Sequence, residues 1–87
     1  MRVISQNQKY DVPYEQTAFI CDSTKVFALW NDTQWLFAEY STTERAQKAM
    51  EMLRGFGALG NVASFVLPKD ELIEGAYDEA KSHWKFQ

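Results

Sequence analysis

The chain has one cysteine, one histidine, two prolines and four glycines in 87 residues. The lone Cys21 excludes an intramolecular disulfide framework and a structural zinc site built from cysteines, and it makes a reducing compartment the default. So few prolines and glycines, with no internal repeat, rule out collagen-like, linker-like and solenoid architectures. Long apolar runs are missing too. The longest, Val26-Phe27-Ala28-Leu29-Trp30, falls far short of the ~20 residues a membrane-spanning helix needs. At the N-terminus Met1-Arg2-Val3-Ile4 gives way to Ser5-Gln6-Asn7-Gln8 before an apolar segment builds, which predicts no signal peptide. Neither sign of charge dominates: nine Lys and Arg stand against twelve Asp and Glu, a net charge of −3. Without a dense basic block, duplex nucleic acid is not an expected partner. A small anionic ligand is still compatible, because two or three local cations suffice for one phosphate.

What is present is apolar and aromatic. Residues of the hydrophobic class make up 46% of the chain and include six Phe, four Tyr and three Trp, enough for a packed core and against intrinsic disorder. The length predicts a single domain over 1–87. A domain of this size buries only ~60–65% of the surface its unfolded form exposes, so each large apolar side chain matters.

The pattern predicts an α+β fold: a small antiparallel β-meander with one helix packed on it, a further strand and a C-terminal helix. Arg2 to Ser5 reads as a short strand, and Pro13 holds Val12 in extended geometry. Tyr14 to Cys21, Lys25 to Trp30 and Trp35 to Tyr40 are rich in aromatic and β-branched residues. Asp22-Ser23-Thr24 and Asn31 to Gln34 supply the turns between them. Ser41-Thr42-Thr43-Glu44 reads as a helix start with Ser41 as the cap. Ala46, Ala49, Met50 and Leu53 follow in one apolar stripe, and Gly55 and Gly57 are expected to stop the helix. Asn61 to Leu67 reads as another strand. From Lys69 to Phe86, Ile73, Ala76, Tyr77, Ala80 and Trp84 recur at helical spacing. Acids Asp70, Glu71 and Glu74 sit near the start and Lys81, His83 and Lys85 near the end, both favourable to the helix dipole.

Alternation along the central hairpin has a consequence for assembly. Phe27 and Leu29 face one side of their strand, and Val26, Ala28 and Trp30 the other. On the next strand Leu36, Ala38 and Tyr40 oppose Trp35 and Phe37. Both faces are apolar, so each needs a cover. The first helix covers one; the second helix or a second subunit covers the other, and a homo-oligomer is expected.

Catalytic patterns are weak. A nucleophile and base would have to come from Cys21 and the sole His83, which read more simply as a small hydrophobe and a helix-end cation. The acids of the last helix read as dipole partners and a solvated face. Gly55-Phe56-Gly57-Ala58-Leu59-Gly60 follows a helix rather than a strand and does not suit a phosphate loop. No metal-ligand spacing occurs, so no metal, cofactor or enzymatic activity is expected. Binding groups are better represented. Arg45 and Lys48 sit on one side of the first helix, although Glu44 to Lys48 is also a favourable i, i+4 pair. Trp30 and Trp35 flank a turn, where indoles can stack on a base or pack across strands.

Met1-Arg2-Val3-Ile4-Ser5-Gln6, Asp11-Val12-Pro13-Tyr14-Glu15, Ala38-Glu39-Tyr40-Ser41-Thr42 and Lys48-Ala49-Met50-Glu51-Met52-Leu53-Arg54 resemble a group of small proteins encoded by phages and prophages of Gram-positive bacteria. A looser echo occurs in Phe65-Val66-Leu67-Pro68. The family usually carries Asp-Gly where Asn7-Gln8 stands, and the tail after Glu71 departs from it. The resemblance implies a setting, the cytoplasm of a bacterial host, and a non-enzymatic role against host defence. The first expectation is a homo-oligomeric sponge that sequesters a nucleotide second messenger, with Arg2, Tyr14, Trp30, Trp35, Arg45 and Lys48 as contacts. The alternative is a protein–protein inhibitor of a host nuclease or CRISPR effector, anchored by an aromatic patch with the acidic tail meeting a basic groove. A third reading is a structural accessory protein.

Overall fold

Local alternation and turn chemistry produce six short strands and two helices, the α+β class that the pattern predicts. The computed structural model describes residues 1–84, the side chain of Trp84 excepted; Lys85 and Phe86, which helical spacing includes in the last helix, lie outside the described residues. The strands are β1 (Arg2–Ile4), β2 (Asp11–Pro13), β3 (Ala18–Asp22), β4 (Lys25–Trp30), β5 (Thr33–Glu39) and β6 (Ser64–Val66), and the helices are α1 (Thr43–Leu59) and α2 (Ile73–Trp84). They form two three-stranded sheets, β2-β1-β6 and β3-β4-β5.

The meander β3-β4-β5 is antiparallel throughout. Its β4–β5 turn places Asn31 and Asp32 at φ 55° and 64°. Two successive left-handed residues match the twist of a hairpin, and Asn and Asp bear that region better than most side chains. The expected strand from Tyr14 to Cys21 is divided. Tyr14–Gln16 is a 3₁₀ turn and only Ala18–Asp22 is strand, because Pro13 ends the pairing of β2 with β1 and the chain must cross to the second sheet. Asn7-Gln8 keeps a tight turn without glycine. Gln8 takes φ 63°, its amide donates to the Ser5 carbonyl at 2.8 Å, and the Asn7 side chain accepts from the Lys9 amide at 3.0 Å.

A bulge overturns the expected alternation of β5. Val26 pairs with Ala38 but Phe27 with Leu36, so Phe37 is the extra residue. Phe37 and Ala38 therefore both point into the core, 1% and 3% exposed, and Leu36 is left outside at 45%.

The two sheets are joined by Gln6. Its amide donates to the Phe37 carbonyl at 2.8 Å. Its side chain donates to the carbonyls of Glu39 (3.1 Å) and Pro68 (3.0 Å), and accepts from the Glu39 amide at 3.1 Å. One side chain thus continues the edge of β5 and ties it to the segment after β6. Tyr40 adds a second tie, its hydroxyl donating to the Pro68 carbonyl at 2.7 Å.

Helix α1 starts at an N-cap Thr42, whose hydroxyl accepts from the Arg45 amide. Ser41, the expected cap, instead donates its amide and hydroxyl to Asp70. Ala46, Ala49, Met50 and Leu53 are buried as their spacing predicts, with Met52 beside them. The helix does not stop at Gly55 or Gly57 but runs to Leu59 and ends at Gly60, where φ is 74°. Gly57 has a different use: the Tyr14 ring occupies the space a Cβ there would fill. Helix α1 packs on β3 and β4 and against α2. Ile73, Tyr77 and Ala80 are the buried residues of α2, so this helix lies on α1 and not over the far face of the meander.

Replacing Gln6 by Ala removes three side-chain hydrogen bonds and strands the Glu39 amide. Urea unfolding of Gln6→Ala is expected to show a loss of about 1–3 kcal/mol with an unchanged m-value.

Candidate functional site

The six expected contact residues do not converge. Arg2 donates Nε–H to the Asp11 carboxylate at 2.8 Å on an exposed strand pair. Trp30 and Trp35 share the inner face of the meander, since Trp35 pairs with Ala28 and Trp30 lies two residues further along β4. Both pack against the core as half-buried side chains. Trp35 stacks obliquely on Tyr10, centroids 4.9 Å apart, and its indole N–H is buried with no hydrogen-bond partner among the described residues. Trp35 is thus engaged in packing, whereas Trp30 also lines a shallow pocket with the Asn31 to Gln34 turn.

Arg45 and Lys48 lie together on α1 but face α2. Arg45 pairs with the Asp70 carboxylate at 3.2 Å and donates to the Asp70 carbonyl and the Ser41 hydroxyl. Lys48 is ion-paired with Glu74 and sits 5.4 Å from the Tyr77 ring centroid. Tyr77 in turn donates its hydroxyl to Glu51 at 2.5 Å, a bond that raises the phenol pKa to about 12. These cations fasten the second helix to the first. Asp70 is held below its ordinary 3.8 by the Ser41 amide first, then by the Ser41 hydroxyl and Arg45, against a desolvation contribution of opposite sign. Glu74 is lowered chiefly by Lys48.

A different set does converge. Tyr14, Glu15, Thr17, Phe19, Met50, Leu53 and Arg54 line a groove of about 320 Å³ between the 3₁₀ turn, β3 and α1. Tyr14 and Phe19 form one wall, their rings 6.1 Å apart and 20° from parallel. Met50 and Leu53 reach it from the apolar stripe of α1. At the rim the Glu15 carboxylate takes the Met1 ammonium at 2.9 Å, whereas Arg54 is exposed and makes none of the ion pairs found among the described residues. Only Tyr14 of this set belongs to the expected contacts. Arg54 had no clear signal: Met50 and Ala58 stand four residues either side of it, but Glu51 stands three residues before it, and only the structure shows that carboxylate taken by Tyr77.

A second surface stands out on the outer face of the meander. Cross-strand pairing lines up Ile20, Phe27 and Leu36 in one row and Ala18, Leu29 and Gln34 in the next. Ile20 and Leu36 are 43% and 45% exposed, and none of the apolar residues in these rows belongs to the core cluster.

Cys21 is half-buried, and burial pushes its thiol pKa up. Among the described residues no group of three or more metal-ligating side chains occurs, and none of their helices is long and apolar enough to cross a membrane. Comparison with family models, with curated proteins and with solved structures gives no match.

If Arg45 is a fastener, Arg45→Ala should lower the urea midpoint of the ligand-free protein, with the native far-UV spectrum retained at zero urea. The Asp70 contribution it disrupts exists above the carboxyl's unfolded pKa of 3.8 and disappears as pH falls through the lower folded value. The gap between wild type and variant should therefore be full at neutral pH and close in acid, as paired urea titrations at stepped pH would record.

Proposed function

We propose that the protein is a non-enzymatic, homo-oligomeric binding protein of the phage accessory type that sequesters a nucleotide signal of host defence. The observation that carries the reading is the outer apolar row of exposed Ile20 and Leu36 with half-buried Phe27 between them. In a chain this small, apolar side chains left outside the core are costly unless something covers them. Helix α2 is spent on α1, so the cover comes from outside the chain.

A second copy suits the face. Sheets stack face to face with interdigitating side chains when their strands are nearly aligned, and a two-fold axis across the strands brings the row Ile20-Phe27-Leu36 onto its own mate. Lys25 lies on the same face, but its cross-strand neighbours are the acids Asp22 and Glu39, so the hydrophobic row and not charge sets the register of the two copies. Three strands of five residues cover roughly 15 by 17 Å, well below the ~800 Å² per partner of a standard interface. The dimer is therefore weak and concentration-dependent.

The inhibitor reading uses the same face with a weakened electrostatic half. Of Asp70, Glu71 and Glu74, the acids meant for a basic groove, Asp70 and Glu74 already hold Arg45 and Lys48. The resemblance to phage proteins supplies the defence setting.

Sedimentation velocity across a concentration series tests the oligomeric half. Wild type is expected to pass from monomer to dimer, and Leu36→Lys to stay monomeric at every concentration with its fold intact, because that position is already exposed. A wild type that stays monomeric into the millimolar range overturns the reading. Native mass spectrometry with linear and cyclic nucleotides tests the other half, with stoichiometric uptake expected.

A further inference from the structure

We infer that the groove between the Tyr14–Gln16 turn, β3 and α1 is a binding site for a planar aromatic anion of the nucleoside monophosphate class. The inference rests on the proposed function only in taking the chain to be a ligand binder, and it replaces the scattered cations by a site whose parts are in one place. Its volume, about 320 Å³, is at the small end of ligand pockets and suits a single nucleotide rather than a dinucleotide.

Each part has a chemical task. The near-parallel Tyr14 and Phe19 rings offer an aromatic wall on which a base can stack. Met50 supplies a polarizable thioether and Leu53 an apolar floor. The Thr17 hydroxyl donates its proton to the Pro13 carbonyl, which leaves its oxygen to accept from an exocyclic amine. Arg54 brings a planar guanidinium that is ion-paired to no carboxylate among the described residues, and a guanidinium binds a phosphate through two parallel hydrogen bonds. The one acid on the groove, Glu15, is neutralised by the Met1 ammonium and does not repel an anion. Gly57 belongs to the site indirectly, because its missing Cβ is what lets the Tyr14 ring lie against α1.

The test is an amide-resolved NMR titration of the full chain with AMP, adenosine and inorganic phosphate. AMP is expected to shift resonances of Tyr14, Phe19 and Arg54, with adenosine at least tenfold weaker and phosphate without effect at the same concentration. Arg54→Gln should reduce AMP affinity to the adenosine level while leaving the rest of the spectrum in place, since Arg54 makes no ion pair among the described residues. Gly57→Ala, which displaces the aromatic wall and alters no charge, should weaken AMP and adenosine alike. The site is overturned if AMP leaves these resonances unmoved, or if Arg54→Gln binds AMP as wild type does. A chain that dimerises but binds no AMP overturns the groove alone, and a monomer that binds AMP overturns only the oligomeric reading.

Discussion

The meander β3-β4-β5 carries apolar side chains on both faces, and the chain supplies a single helical layer against it. Helix α1 takes the inner face, where Val26, Ala28, Phe37 and Ala38 pack with Ala46, Ala49 and Leu53. The placing of the remaining elements depends on this allocation. With α1 committed to the meander, α2 packs against α1, where Arg45, Lys48 and Glu51 hold Asp70, Glu74 and Tyr77. Because those cations are committed to α2, they are not free for a ligand. The outer row of Ile20, Phe27 and Leu36 lies outside the core cluster of the described residues.

The bulge at Phe37 sharpens the asymmetry. A regular β5 would bury Phe37 and expose Ala38 with Leu36. The extra residue turns Phe37 and Ala38 inward together, which strengthens the inner core and leaves Leu36 isolated on the outer face. Gln6 then closes the irregular edge that a bulge creates, by supplying hydrogen bonds where regular pairing ends. The second sheet, β2-β1-β6, is fixed to the first by that one residue and by the Tyr40 bond to Pro68.

Features set by near neighbours were legible in the sequence. The strands around Val26 and Leu36, the turn at Asn31-Asp32 and the stripe Ala46, Ala49, Met50 and Leu53 follow from alternation, turn chemistry and helical spacing within a few residues. Features set by distant partners were not. Gly57 looks like a helix stop until Tyr14, more than forty residues earlier, is seen against it. Local spacing offers Glu44 to Lys48, and only the folded chain shows that Asp70 and Glu74 are the acids that meet Arg45 and Lys48. The parallel pairing of β1 with β6 joins segments some sixty residues apart, and no local pattern announces it. For the same reason the groove at Arg54 assembles from a turn, a strand and a helix that the sequence keeps apart, and only Tyr14 was readable as one of its residues.

The claim that the outer face is an interface between two copies can be tested at the atoms concerned. In a mixture of isotope-labelled and unlabelled chain, filtered NOE spectra should show contacts from the methyl groups of Ile20 and Leu36 in one copy to the Phe27 ring of the other, growing with concentration. Methyl groups that show no intermolecular contact at a concentration where the protein is dimeric would place the interface elsewhere and contradict the account.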